Sequence, residues 1–170
     1  PSFSRLCLAL LFVPAAFAQI GDRADKPGVV QKSLVPADQI PPAPVLTPAQ
    51  ALQSFKVAPG YKVEIAAAEP HVQEPVAITF GPDGRMWVVE MIDYPRGPQV
   101  GEKPKSRIRI LTDPDGDGRF NVSHLFADNL LFATGIQPWK GGAIVTLAGR
   151  VAYFKDTNGD DKADVEETWF

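Results

Sequence analysis

The chain has 170 residues, 45% of them hydrophobic and 22% charged, which is typical of a soluble globular protein. Acidic and basic residues are interspersed and sum to a formal net charge of -3, so the sequence lacks the basic surface that a nucleic acid partner would require. The only cysteine is Cys7, and beyond that position the sequence excludes disulfides, thiol catalysis, cysteine-ligated zinc and a c-type haem attachment motif.

The N-terminal residues have the pattern of a secretory signal peptide. Arg5 is followed by an apolar stretch at residues 6–13, and Ala16 and Ala18 occupy the small-residue positions that precede cleavage. The apolar stretch is far shorter than the ~20 residues that a membrane-spanning helix needs. We therefore predict a signal peptide over residues 1–18 and a mature protein that is exported to the periplasm or the cell envelope.

Residues 19–46 are rich in proline and poor in aromatic side chains, a composition that favours an extended linker over a packed domain. Thr47 and Pro48 then provide a helix N-cap and a proline in the first helical turn. Leu52 and Phe55, three positions apart, share one face of the predicted helix of about two turns. The folded part of the chain is therefore predicted to begin with this short helix.

Beyond the helix, the spacing of apolar residues changes to the alternation that is typical of β-strands. The sequence Gly-Pro-Asp-Gly at residues 81–84 predicts a tight hairpin turn between two of these strands. The predicted strands cover residues 61–65, 76–80, 85–90, 107–111 and 122–126. The chain is therefore assigned to the all-β class.

The order of strands and turns recurs later in the chain. Residues 136–139 and 143–147 repeat the strands of the first hairpin, and residues 150–156 align with residues 107–113 at an offset of 43 positions. Small sheets that repeat every ~40 to 50 residues are typical of β-propellers, which have about four to eight blades. Residues 47–170 are therefore predicted to form two to three N-terminal blades of a larger ring, truncated at the C-terminus, whose partner is the rest of its own propeller. The alternative is a chance repeat within a sandwich or barrel.

Two acidic loops have the spacing of calcium ligands. In the first loop, positions 1, 3, 5 and 9 of a calcium-binding pattern are occupied by Asp113, Asp115, Asp117 and Asn121. Gly118 takes the sixth position, where the chain must turn sharply. His124 replaces the bidentate carboxylate expected at position 12, so this loop is a truncated match.

The second acidic loop supplies the missing terminal carboxylate. Its candidate ligands are Asp156, Asn158, Asp160, Asp164 and Glu167. Asp161 takes the sixth position, where a glycine adopts the required positive φ with less backbone strain. Because affinity follows the number of charged ligands, this loop is predicted to bind calcium more tightly than the first. The alternative for both loops is an inter-strand turn whose Asp and Asn side chains bind their own backbone.

Few residues have the pattern of a catalytic group. Glu90, Asp93 and Arg96 lie in or beside a proline-bounded loop after a predicted strand, and loops at the ends of scaffold strands commonly carry function. A plainer interpretation is that Glu90 and Arg96 form a solvated ion pair that anchors this loop. The two histidines are His71 and His124, and a histidine beside proline is more often a loop residue than a ligand. The candidate catalytic residues are therefore Glu90, Asp93, Arg96 and His71.

Several segments together resemble a known family. They are FKVAPGYKVEIAAAEPHVQEPVAITFGPDGRMWVVEMIDYP, DPDGDGRF, LFATGIQPWKGG and YFKDTNGDDKAD. With the leader and the short helix, they resemble the N-terminal propeller of large exported proteins of Planctomycetes and Verrucomicrobia that are named as membrane-bound dehydrogenases. Many members of that group continue into helical repeats and a c-type cytochrome domain. The chain is more distantly similar to the soluble quinoprotein glucose/sorbosone dehydrogenases.

The resemblance implies that the complete ring oxidises a small sugar or polyol with pyrroloquinoline quinone and passes electrons to a C-terminal or separate c-type cytochrome. The cofactor-binding His and Arg positions of the quinoprotein enzymes match no residue here, so the cofactor-binding and catalytic residues stay unassigned. Two other functions remain open. They are a non-catalytic propeller that binds carbohydrate or protein, and a calcium-dependent, lactonase-like hydrolase with carboxylates and Asn at the ring axis.

Overall fold

The computed structural model describes residues 35–170. The chain divides into two units, Pro1–Val45 and Leu46–Phe170. In the first unit, the described residues include a single-turn 3-10 helix at Ala37–Gln39. The predicted signal peptide and the predicted linker up to residue 34 lie outside the described residues.

The second unit begins with helix α1 (Pro48–Ser54), where the sequence predicts it. Thr47 and Gln50 form a capping box: the Thr47 hydroxyl accepts a hydrogen bond from the Gln50 backbone N–H at 3.3 Å, and the Gln50 side chain accepts one from the Thr47 N–H at 2.9 Å. These bonds satisfy two N–H groups that the helix itself leaves unpaired. Across residues 35–170 we find no helix with the length and apolar content to cross a membrane.

The rest of the second unit consists of two four-stranded antiparallel sheets. The first sheet contains β1 (Pro75–Phe80), β2 (Met86–Glu90), β3 (Ser106–Thr112) and β4 (Val122–Leu130). The second contains β5 (Gly135–Trp139), β6 (Gly142–Leu147), β7 (Arg150–Lys155) and β8 (Val165–Thr168). Strands that are consecutive in the chain are neighbours in each sheet. The all-β prediction is confirmed, and the sequence pattern missed β8.

The two predicted hairpin turns form as tight reversals. In the β1–β2 turn, the Gly84 N–H donates to the Gly81 carbonyl at 3.0 Å, and Gly84 has a φ of 79°. The β5–β6 turn has left-handed backbone at both central residues, Lys140 (φ 45°) and Gly141 (φ 78°). A two-residue turn of this kind matches the twist of the strands that it joins.

A hydrophobic core fills the space between the two sheets. Trp87 on β2 packs edge-on against Phe126 on β4, with ring centroids 4.8 Å apart. The second sheet contributes small and branched side chains, among them Ala143, Val145 and Ala152. The core therefore holds the sheets face to face.

A smaller core lies on the opposite face of the first sheet, which we call its outer face. There, Val72 packs against Met86, Val88 and Leu111. The Phe120 N–H donates to the Ala66 carbonyl at 2.7 Å, which holds the segment before β1 in place. This segment covers part of the outer face.

The predicted strand at residues 61–65 is wrong, because the structure has no strand there. Its alternating residues Tyr61 and Val63 are exposed, with 76% and 36% of their surface accessible. Alternation of apolar and polar residues indicates a segment with one buried face, but a β-strand also requires a neighbouring strand to complete its backbone hydrogen bonds. Among residues 35–170, no strand pairs with this segment.

The connection between the second and third strands differs in length between the two sheets. It spans residues 91–105 in the first sheet, whereas Ala148 and Gly149 alone join β6 to β7. The offset of 43 positions therefore holds for β3 and β7 and not for the earlier strands of each sheet. The longer connection and the absence of a strand from residues 47–74 together explain why the described residues form two sheets and not three.

Candidate functional site

Glu90, at the end of β2, is buried with none of its surface exposed. Its Oε2 accepts hydrogen bonds from Arg107 Nε and from Arg109 Nε, the latter at 3.1 Å. Its Oε1 accepts the Gln73 backbone N–H at 2.6 Å. Since β2 and β3 place all three charged side chains on the outer face of the sheet, Glu90 ties this sheet to the segment that covers it. The predicted solvated pair of Glu90 with Arg96 is therefore wrong.

The β2–β3 loop is held at its base by Asp93. The Asp93 carboxylate accepts the Lys105 backbone N–H at 3.0 Å and lies 3.4 Å from the Ser106 hydroxyl. Arg96 is exposed and forms no ion pair with any residue of the described chain. The structure therefore does not bring Glu90, Asp93 and Arg96 together as one catalytic group.

The histidines occupy different settings. His71 is half-buried in the segment before β1, where its backbone N–H donates to the Ala68 carbonyl at 3.0 Å. His124 is exposed on β4, opposite Ile110 on β3. Neither imidazole has a hydrogen-bond partner among residues 35–170, so no described group orients either ring for proton transfer.

The two acidic loops have similar backbone arrangements. In the first, Asp113 accepts three backbone N–H groups, from Gly116 at 2.9 Å, Asp117 at 3.2 Å and Gly118 at 2.8 Å. In the second, Asp156 accepts three as well, and the donors are Asn158, Gly159 and Asp161. Each first aspartate thus organises its own loop, as the alternative of a self-bonded turn predicts.

These N–H groups also act on the acidity of the two first aspartates. Desolvation would raise the pKa of Asp113, but the hydrogen bonds from Gly118 and Gly116 outweigh it and hold the pKa below its ordinary value. For Asp156, desolvation is likewise outweighed by hydrogen bonds, chiefly from Gly159, so its pKa is also lowered. The first aspartate of each loop is therefore stabilised in its ionised form.

The first loop brings its carboxylates together. One oxygen each of Asp113, Asp115 and Asp117 lies within 4.8 Å of the others. Asp113 is half-buried and the other two are exposed, and the group has the oxygen chemistry of a calcium site. Among residues 35–170 this is the one such acidic group. Asn121, the other predicted ligand, is exposed at the end of the loop.

In the second loop, several predicted ligands have other partners. The Asp164 carboxylate accepts hydrogen bonds from the Thr157 hydroxyl at 2.6 Å and from the Thr157 backbone N–H at 3.0 Å. Glu167 lies on β8, where it accepts the Trp169 indole N–H at 3.4 Å. The geometry thus favours the first loop, opposite to the ranking from ligand count. Asp161 has the left-handed backbone expected at position six, with a φ of 62°.

An open cleft of about 470 Å³ lies between the two sheets at the end that carries the acidic loops. On one side, Arg85 forms ion pairs with Asp83 at 2.6 Å and with Asp161 of the second loop. Burial would raise the pKa of Asp83, but the hydrogen bonds and charge of Arg85 outweigh burial and lower it. The Arg85 ion pairs therefore bridge the two sheets, and the pair with Asp83 favours the ionised form of that carboxylate.

Two tryptophans line the same cleft. Trp87 forms its floor and is only 5% exposed, whereas Trp139 at the rim is 49% exposed. Lys140 Nζ lies 5.4 Å from the centroid of the Trp139 ring. The sequence analysis assigned no function to these residues, because they come from β2 and from the β5–β6 hairpin and meet only when the sheets pack. The repeat in the sequence could have indicated these residues, because it places an aromatic residue beside the turn in both hairpins.

No curated protein and no solved structure matches the chain. A protein-family profile does match, over residues 47–170, and it is described as a domain of unknown function, DUF7133. The match begins at the N-cap of α1 and includes both sheets. Because it spans well over half of the sequence, the chain belongs to the DUF7133 family.

Proposed function

We propose that the two sheets are adjacent blades of a β-propeller. The observation that carries the proposal is the chain path: strands follow one another from β1 to β4, and the chain then returns to β5, which lies against β1 and β2. The first strand of each sheet is thus an edge strand, and the first strand of the second sheet lies beside the first strand of the first sheet. Repetition of this step generates a ring of radial sheets around the first strands.

The outer face of β1 supports the same proposal. Val76, Ile78 and Phe80 are large apolar residues with 50%, 62% and 57% of their surfaces exposed. Ile78 and Phe80 pair with Val88 and Met86, whose side chains belong to the core of the outer face. A contiguous apolar stripe beside a packed core is typical of a surface that another element covers. In the ring, a further blade covers this stripe.

For the activity of the ring, we propose the oxidation of a small sugar or polyol in the periplasm or cell envelope. The support is the resemblance to exported dehydrogenases, which is an analogy at the level of the family. When bound, pyrroloquinoline quinone would accept electrons from the substrate, and a c-type cytochrome would receive them. The described residues do not fit a quinone site, because neither histidine is oriented by a partner and Arg107 and Arg109 are committed to Glu90. This chain is therefore a structural part of the ring, and no catalytic step is assigned to its residues.

The ring is tested by a charge at a position that only a further blade would bury. Ile78→Asp in the complete propeller should lower the free energy of unfolding by about 2 kcal/mol or more, because a further blade would bury the carboxylate in an apolar interface. The matched control is Val100→Asp in the β2–β3 loop, where the side chain is fully exposed and the change should stay within about 0.5 kcal/mol. Equal stability of the two variants in urea unfolding would argue against a covering blade.

The proposed activity is tested by dye-linked oxidation. The complete propeller that contains these two sheets is incubated with calcium and pyrroloquinoline quinone, and reduction of an artificial electron acceptor is measured with a panel of aldoses and polyols. We expect reduction that depends on both quinone and substrate, and the same protein without quinone is the control. Absence of quinone-dependent reduction over the whole panel would reject the dehydrogenase and leave the propeller fold intact.

A further inference from the structure

The second sheet has an open face on the side turned away from the first sheet. Ala143, Val145 and Ala152 point into the core between the sheets, and side chains alternate along a strand, so their neighbours point the other way. This opposite side, which we call the aromatic face, consists of Ile144, Thr146, Val151, Tyr153 and, just beyond β8, Trp169. Trp169 is 41% exposed and Thr146 is exposed as well, so much of the aromatic face lies open in the described part of the chain.

The two rings of the aromatic face have their hydrogen-bond donors satisfied within the second sheet. Tyr153 stacks on Trp169, with ring centroids 5.3 Å apart and 22° between the ring planes. The Tyr153 hydroxyl donates to the carbonyls of Trp139 and Lys140, at 3.2 Å and 2.9 Å. The Trp169 indole N–H donates to the Glu167 carboxylate at 3.4 Å. Because buried Tyr and Trp donors need partners, these bonds allow an apolar surface to cover both rings without leaving a donor unpaired.

The last two strands of the two sheets pair in the same register. The four residue pairs that join β3 to β4 at residues 109–112 recur 43 positions later in the four pairs that join β7 to β8. The same offset takes Ile110 to Tyr153 and Phe126 to Trp169. The aromatic face of the second sheet is therefore the counterpart of the inner face of the first sheet.

The first sheet shows what covers such a face. Phe126 is 1% exposed and lies in one core with Ala143 and Ala152 of the second sheet. Trp169, at the equivalent position of the second sheet, is 41% exposed. A large ring thus lies under small side chains on the first sheet, and the corresponding ring of the second sheet is open.

A second pair of equivalent positions differs in the same way. Val89 on β2 pairs with Ile108 on β3, and Thr146 on β6 pairs with Val151 on β7, the counterpart of Ile108. Val89 has none of its surface exposed, whereas Thr146 is exposed. The aromatic face therefore matches an interface that is already occupied on the first sheet.

We propose that a third sheet of the same propeller docks on the aromatic face, as the second sheet docks on the first, and presents small and branched apolar side chains to Tyr153 and Trp169. The inference rests on the proposed ring and names the surface on which the ring continues. The chemistry of the partner follows from the occupied interface, where Phe126 meets small residues such as Ala143 and Ala152. A polar ligand is disfavoured, because the donors of both rings already have acceptors in the second sheet.

The test measures how fast a thiol on the aromatic face reacts with a maleimide in the complete propeller. Cys7 is the only cysteine of the sequence, so residues 19–170 contribute no thiol of their own, and the labelled peptide is quantified by mass spectrometry. Thr146→Cys places a thiol on the aromatic face with little change in size. Thr168→Cys is the matched control, because Thr168 is exposed and its pairing with Ala152 places it on the opposite side of the sheet. We expect Thr146→Cys to react about 100-fold more slowly than the control, because its thiol is reached only when the interface opens.

Two results would overturn the proposal. Rates for the two thiols within about threefold of each other would show that the aromatic face is open. Protection of Thr146→Cys that disappears on dilution would identify a second copy as the occupant, because a sheet of the same polypeptide protects at any concentration. The measurement needs neither quinone nor substrate and probes the side of the sheet pair away from Ile78. Its failure is therefore distinguishable from failure of the proposed activity and from failure of the covering blade on β1.

A stability comparison checks the same interface without a label. Trp169→Leu and Phe126→Leu each replace a ring at equivalent positions and keep an apolar side chain, so both variants should still fold. In urea unfolding of the complete propeller, the two should lower the midpoint by similar amounts, because each removes a ring from an equivalent interface. Val100→Ala, at a fully exposed position, is the control and should leave the midpoint unchanged. A midpoint for Trp169→Leu equal to that of Val100→Ala would reject a buried aromatic face.

Discussion

Replacing Glu90 with glutamine measures how much the buried charge on the first sheet contributes to stability. Glutamine has nearly the same shape but only one acceptor oxygen. With that oxygen towards Arg107 and Arg109, its NH2 group faces the Gln73 N–H, so this hydrogen bond is lost together with the negative charge. Two charge-assisted hydrogen bonds, each contributing about 1.5–3 kcal/mol, become bonds of about 0.5–1.5 kcal/mol to a neutral group. Loss of the bond from the Gln73 N–H adds about 1 kcal/mol, so the expected loss is about 3–4 kcal/mol.

Two structural details set this value. The side chains of Arg107 and Arg109 are 21% and 18% exposed, so water partly compensates their charge when the carboxylate is removed. This keeps the loss below the upper part of the ~3–5 kcal/mol that follows when a fully buried pair is broken. Glutamine also leaves no cavity, so no packing loss is added.

The assay is urea unfolding of the full-length protein, followed by tryptophan fluorescence, with equal slopes required before midpoints are compared. Glu166→Gln is the matched control, because Glu166 also pairs with an arginine, Arg150, but the side chains are 46% and 34% exposed. An exposed pair of this kind contributes about 0–1 kcal/mol. If Glu90→Gln lost no more stability than Glu166→Gln, the reasoning that burial makes the Glu90 network important would be refuted.

Four further predictions concern other parts of the chain. Gly142→Ala should lower stability by about 2 kcal/mol or more in urea unfolding, because the added methyl group would lie 2.0 Å from the Phe154 carbonyl oxygen; an unchanged midpoint would contradict the β6–β7 register. Asp113→Ala should reduce calcium affinity more than Asp156→Ala in calorimetric titration, because the carboxylates converge in the first loop; the opposite order would restore the ranking by ligand count. Since the native pKa values of both aspartates are lowered, their hydrogen bonds stabilise the protein fully above the ordinary value of 3.8 and are lost as the pH falls through the lowered values. The double alanine variant should therefore show a flatter decline of stability below about pH 4 than the parent; parallel declines would count against the bonds. Mass spectrometry of exported protein should find Gln19 at the N-terminus, and a product that retains the preceding residues would reject the cleavage site.

The elements that the sequence predicted well are those encoded by local physical chemistry. The helix at Pro48 follows from an N-cap and a proline in the first turn, which need no distant partner. The turn at residues 81–84 follows from glycine and proline at positions where the backbone permits little else. The left-handed backbone of Asp161 was expected for the same reason, since its place in the loop leaves one conformation.

The candidate site residues were harder to interpret, because their environment is set by the packing of other strands. Glu90 and Arg96 are close in sequence, but Glu90 points to the outer face of the sheet and meets two arginines from β3. Residues 61–65 have the alternation of a strand, but hydrogen-bond partners for a strand come from elsewhere in the chain, and none pairs with it among the described residues.

By itself, the sequence determined the all-β class and the positions of the turns, because each depends on residues within a few positions of one another. Tertiary structure alone decided which carboxylates converge in the first loop, which faces of the sheets are buried and how Trp87, Arg85 and Asp161 come to line one cleft. These outcomes require contacts between segments that are far apart in the chain, and the spacing of residues along one strand holds no information about the strand or sheet that will pack against it.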